Sequence, residues 1–77
     1  MNRDSVKAFM AKELNIPVSK LADDSVNLTD LVHESFILIE LVIALQEEFK
    51  VRLVQEDLQE VKSLGQLIDV LQKKKLS

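Results

Sequence analysis

Glu34-Ser35-Phe36-Ile37-Leu38-Ile39-Glu40-Leu41-Val42-Ile43-Ala44-Leu45-Gln46-Glu47-Glu48-Phe49 runs without a glycine or a proline. Good helix formers alternate in it with β-branched residues, and the pattern predicts one long helix from Ser35 to about Lys50. Phe36, Ile39, Val42 or Ile43, Leu45 and Phe49 form the expected core stripe. Ile37, Leu38 and Leu41 widen the apolar surface, and Glu40, Gln46, Glu47 and Glu48 make the polar side.

Working outward, Val6, Phe9, Met10 and Leu14 repeat at helical spacing and predict a first helix from about Asp4 to Leu14. Asp4 or Ser5 is the expected N-cap, and Asn15 followed by Pro17 ends the helix. Residues 16–33 carry Asp23, Asp24, Ser25, Asn27, Thr29 and Asp30, types that bond their own backbone in turns. This predicts a long loop with at most one turn at Ser19 to Leu21, pinned by Val18, Leu21, Val26, Leu28 and Leu31 turning inward. Val51-Arg52-Leu53-Val54 has no second strand to pair with and reads as a connector. Gln55 to Glu60 reads as a short third helix. Ser63 and Gln66 have capping-box spacing ahead of a last helix, in which Leu64, Leu67, Ile68 and Leu71 share one face. Lys73, Lys74 and Lys75 close it where positive charge suits the helix dipole. The expected fold is all-α: one domain over residues 1–77, a small four-helix bundle of three major helices and one short one, with a long first loop.

The 77 residues include no cysteine, one histidine and one glycine. Disulfides and cysteine-ligated metals are therefore excluded, and no glycine-rich loop is present to cradle a phosphate. The hydrophobic content is 47%, and only three residues are aromatic, all phenylalanine. The core should be aliphatic. Between Glu34 and Glu60 seven acidic residues face two basic ones, a local balance of −5 within a net charge of −3. Such a surface disfavours nucleic acid and suits basic protein partners. The N-terminus lacks the apolar run of a secretory signal. Phe36 to Leu45 is far shorter than the roughly 20 residues that span a bilayer. A soluble, cytoplasmic protein without membrane insertion is expected.

Catalysis finds little support. A nucleophilic serine needs a base and an orienting group, and His33, two residues before Ser35, reads instead as a surface loop histidine. No carboxylate or histidine cluster has metal-site spacing. By spacing alone Ser35 is an N-cap. A hydroxyl beside the free N–H groups of a helix start would equally stabilise a phosphodiester, and the residues alone leave both roles open.

Glu34-Ser35-Phe36 followed by Ile39-Glu40-Leu41-Val42-Ile43-Ala44-Leu45-Gln46-Glu47-Glu48-Phe49 resembles the second helix of acyl carrier proteins, where Asp-Ser-Leu precedes a Val-Glu-Leu-Val-x-Ala-Leu-Glu-Glu-Glu-Phe-like segment. The resemblance extends over the whole chain. It takes in the first helix, the loop with Pro17, Asp30-Leu31, the Gln55-Glu56-Asp57 turn and Ser63-Leu64-Gly65 with Ile68-Asp69. It implies that Ser35 bears a 4′-phosphopantetheine arm, drawn from coenzyme A by a phosphopantetheinyl transferase, and that acyl groups ride the arm as thioesters. The implied protein is a monomeric carrier with no catalysis of its own, serving acyl-transferring and ketosynthase-type enzymes of fatty-acid or polyketide-type synthesis. Glu34, Phe36, Ile37, Leu38, Glu40, Ile43, Glu47, Glu48 and Glu56 are the expected partner-recognition residues.

The chain departs from the family pattern at Glu34 (usually Asp), Val32 (usually Gly), Val54 (usually Pro) and at Ile37 and Leu38, often polar. The apolar pair, if exposed, makes a docking patch near the arm and points to dedicated partners in a polyketide or other specialised pathway. The alternatives are a cofactor-free helical interaction module, or a carrier for aminoacyl groups.

Overall fold

The structure, a computed structural model, describes the backbone of residues 2–76 and the side chains of residues 2–75. Met1 and Ser77, part of the expected single domain, lie outside the described residues. Helix α1 spans Arg3–Leu14, a 3-10 turn follows at Val18–Leu21, and α2 is a single turn at Leu28–Leu31. Helix α3 spans Ser35–Phe49, α4 Gln55–Leu58 and α5 Leu64–Leu76. No strand occurs among the described residues, and the all-α expectation holds with three long helices. The turn at α2 falls inside what the sequence suggests is loop. Helix α4 stops two residues before Glu60.

Asn2, rather than Asp4 or Ser5, caps α1. Its side chain accepts from the Ser5 N–H at 2.7 Å, and the Asn2 N–H donates back to Ser5 Oγ at 3.2 Å. Asn15 closes the helix in the left-handed region, with φ 57°, a conformation asparagine tolerates. Helix α5 starts as its sequence indicates: the Gln66 N–H donates to Ser63 Oγ at 3.2 Å and Gln66 Oε1 accepts from the Ser63 N–H at 3.0 Å. Leu64, Leu67, Ile68 and Leu71 are fully buried and form the floor of the core.

The core stripe of α3 keeps Val42, Leu45 and Phe49 of the expected one but is rotated about a quarter turn from it. Leu41 and Leu45 are buried and Leu38, Val42 and Phe49 pack against them. Phe36, Ile39 and Ile43, expected inside, are 57%, 59% and 48% exposed. At about 100° per residue, Leu38, Leu41, Val42, Leu45 and Phe49 share one face, while Phe36, Ile39, Glu40, Ile43 and Glu47 share the opposite one. Phe9 of α1 meets Phe49 edge-on, with ring centroids 5.7 Å apart.

The segment between α1 and α3 is tied down by backbone bonds and charge. The Leu28 N–H donates to the Lys62 carbonyl (2.8 Å), that of Leu64 to Val26 (2.9 Å) and that of Gly65 to Asp24 (2.8 Å). Asp24 pairs with Arg3 and with Lys7 at 2.6 Å, and Arg3 reaches on to Asp69 of α5 at 2.7 Å. Gly65 leaves room for this approach: a Cβ there would crowd Asp24 Cβ at 3.0 Å and the Asp24 carbonyl at 3.1 Å. Leu21 and Leu28 turn inward as expected; Val18 does not, being 55% exposed.

Candidate functional site

Ser35 opens α3 but does not cap it. Glu34 is the N-cap, in extended conformation (φ −110°, ψ 127°), and its side chain makes no capping bond. The carbonyl of Glu34 accepts from the Ile37 N–H at 3.1 Å and from the Leu38 N–H at 3.3 Å. Ser35 is therefore the first helical residue, exposed, with its hydroxyl bonded to no other described residue. The Ser35 and Phe36 N–H groups likewise have no acceptor among the described residues. An exposed hydroxyl beside two free N–H groups at the positive end of a helix fits a covalently attached phosphodiester. No partner has to be displaced to attach one.

The rest of the site follows from the phase of α3. The row that starts at Ser35 continues through Leu38 and Ile39, Val42 and Ile43, to Gln46, since residues three and four apart stack on one face. These five residues form one wall of a cleft of about 310 Å³. Leu28 and Leu67 lie at its base, and Leu58 and Val61 form the far wall. Gln46 is not the solvent-facing residue the sequence suggests. Its Oε1 accepts the Leu53 N–H at 2.9 Å, and its Nε2 donates to the Val42 carbonyl at 3.4 Å. That bond holds the connector, where Val51 and Leu53 are buried and Arg52 and Val54 exposed.

The far wall has its own anchors. Asp57 Oδ2 accepts the Val54 N–H at 2.9 Å and pairs with Lys74 at 3.1 Å. These contacts, the backbone bond foremost, hold its carboxyl below the usual carboxylate range. Lys75, at the end of α5, donates to the Phe49 carbonyl at 3.0 Å and so satisfies one of the last carbonyls of α3.

Beside this cleft lies the exposed face of α3, with Phe36, Ile39 and Ile43 flanked by Glu40 and Glu47. Of the residues expected to recognise partners, Glu34, Phe36, Ile37, Glu40, Ile43, Glu47, Glu48 and Glu56 are exposed. Leu38 is half-buried in the cleft wall, so the exposed patch does not include it. The sequence reading missed Ile39 on this face. The signal was present: Glu40 and Glu47, seven apart, mark the solvent side, so the core had to lie opposite. His33 is exposed and borders a different hollow with Leu14, Leu31, Val32, Glu34 and Ile37. No group of acidic residues and histidine among the described residues could hold a metal ion. No helix among them is long and apolar enough to cross a membrane.

Comparison with known proteins identifies the family. The family described as "Phosphopantetheine attachment site" matches residues 4–71. The chain is similar to the acyl carrier protein of Buchnera aphidicola subsp. Schizaphis graminum (strain Sg), at 32% identity over 69 residues, covering 90% of this chain and 87% of that protein. It is similar too to the acyl carrier protein of Buchnera aphidicola subsp. Acyrthosiphon pisum (strain Tuc7), at 30% identity over 73 residues, covering 95% and 91%.

Proposed function

The chain belongs to the acyl carrier protein family, whose prosthetic group is covalent 4′-phosphopantetheine, and from that premise we propose that Ser35 is the attachment residue. The observation that carries this reading is the exposed, unengaged Ser35 hydroxyl at the head of the row lining the cleft. When bound, the arm supplies a terminal thiol on which acyl groups are held as thioesters. The chain's own residues do the rest. The free N–H groups of the first turn of α3 hold the phosphodiester. Leu38, Ile39, Val42 and Ile43 shield an apolar cargo from water. The exposed face of Phe36, Ile39 and Ile43, rimmed by Glu40 and Glu47, docks successive enzymes. An apolar centre with an acidic border suits brief, salt-sensitive encounters with basic surfaces.

A monomeric shuttle in the cytoplasm is the working form. Its partners are a phosphopantetheinyl transferase that accepts Glu34-Ser35, and acyl-transferring and ketosynthase-type enzymes. Exposed Ile37, standing close to the arm where the family pattern is often polar, favours dedicated enzymes of a polyketide or other specialised pathway over general fatty-acid synthesis.

The test is intact mass before and after incubation with coenzyme A and a broad-specificity phosphopantetheinyl transferase, with Ser35→Ala alongside. A gain of one phosphopantetheine in the native chain and none in the variant is the expected result. Because Ser35 caps nothing, Ser35→Ala should cost less than about 0.5 kcal/mol and keep its helical spectrum. Loading of a folded Ser35→Ala chain would overturn the assignment. Failure of both native chain and variant to load, with this transferase and with one from the source organism, would favour a cofactor-free interaction module.

A further inference from the structure

Gln46 is the one polar side chain among the described residues that line the cleft. It lies on the Ser35 row of α3, about 16 Å further along the axis at about 1.5 Å per residue, and is the α3 wall residue most distant from the serine. Its carboxamide is fixed by the Leu53 N–H, and Leu53 is itself buried. Swinging Gln46 aside to lengthen the cleft would break that bond to a buried residue, which favours keeping the side chain in place. We propose that Gln46 is a specificity-determining residue, the stop that limits how far along the cleft an acyl chain carried on the Ser35-linked arm can run.

This rests on the carrier reading above and adds a bound on the cargo: an acyl chain whose apolar part is of limited length. An apolar cavity of about 150 Å³ takes a six-carbon ring, and by the same ratio this cleft of about 310 Å³ holds no more than about twelve carbons. Each methylene placed on the cleft walls leaves water and stabilises the loaded carrier. Methylenes beyond the stop stay in solvent and add nothing.

The experiment loads the native chain, Gln46→Glu and Gln46→Ala with saturated acyl groups of graded length. Intact mass confirms loading, and the melting temperature of each loaded form is read against its own unloaded form. In the native chain the gain should rise with length and then level off, at or before about twelve carbons. Gln46→Glu keeps an acceptor for Leu53 but sets a charge against the chain end, so levelling should come at a shorter chain. Gln46→Ala removes the stop, so levelling should come at a longer one. Identical curves for native chain and Gln46→Glu would overturn the role of Gln46, whether or not Gln46→Ala folds. Loading without any length dependence would overturn the cleft as the place of the cargo and the stop with it, leaving Ser35 as carrier site intact. No loading at all would overturn both readings.

Discussion

Replacing Leu45 and Ile43 by alanine, one at a time, tests the phase of α3 on which the whole site depends. Leu45 is 0% exposed and Ile43 48% exposed, yet they stand two residues apart in one apolar run. Truncating a fully buried leucine removes its transfer free energy and leaves a cavity, together about 3 kcal/mol. Ile43 loses only the buried half of its side chain and leaves no closed cavity, so its cost should stay below about 1 kcal/mol. A domain of this size has a total stability of roughly 4–12 kcal/mol, so Leu45→Ala removes a large share and Ile43→Ala very little. At about 4–8 °C per kcal/mol, the melting temperature should fall by about 12–24 °C for Leu45→Ala and by no more than a few degrees for Ile43→Ala. Thermal unfolding followed by far-ultraviolet circular dichroism, with urea titration for the free energies, reads both. Equal losses, or a larger one for Ile43→Ala, would place the Phe36–Ile39–Ile43 face inside and remove the docking surface from the account.

Two further perturbations probe the ties that position the site. Lys7 first, and then Arg3, hold the Asp24 carboxyl below the usual carboxylate range; a lowered folded-state pKa means that the stabilisation is present above about pH 4 and is lost as pH falls through the lowered value. Asp24→Asn should therefore flatten part of the acid limb of a stability–pH curve from urea titrations, and an unchanged limb would show the pairing to be idle. Gly65→Ala gains helix propensity but drives a Cβ to 3.0 Å from Asp24 Cβ and 3.1 Å from its carbonyl. A net loss of about 1 kcal/mol is expected by chemical denaturation, and a more stable variant would contradict the close approach.

How much could be read from the residues varied from helix to helix. In α5, polar residues separate Leu64, Leu67, Ile68 and Leu71 into one stripe, and all four are fully buried. Its Ser63 and Gln66 cap also stands where the spacing puts it. In α3 nearly every residue from Phe36 to Leu45 is apolar, so composition marks a helix while hiding which side faces in. Gln46 shows a related limit. Among two glutamates it looks solvated, and only the return of the connector past it supplies the Leu53 N–H that draws it inward. Likewise Ser35 looks like a cap until the backbone shows the turn beginning one residue earlier, at Glu34.

The sequence by itself determined the helical class, the three long helices, the absence of cysteine chemistry and the serine at the head of the acidic helix. These are local properties, set by propensity, periodicity and the inventory of side chains over a few turns. Tertiary structure decided which face of α3 is buried, that Leu38 lines a cleft while Ile39 reaches its outer edge, and that Asp24 is clamped between α1 and α5 beside Gly65. Those outcomes depend on what packs against each residue from elsewhere in the chain. The Leu28, Leu58 and Leu67 side chains come from three separate elements, and hydrophobic burial favours whichever helix phase covers the most apolar surface across all of them at once.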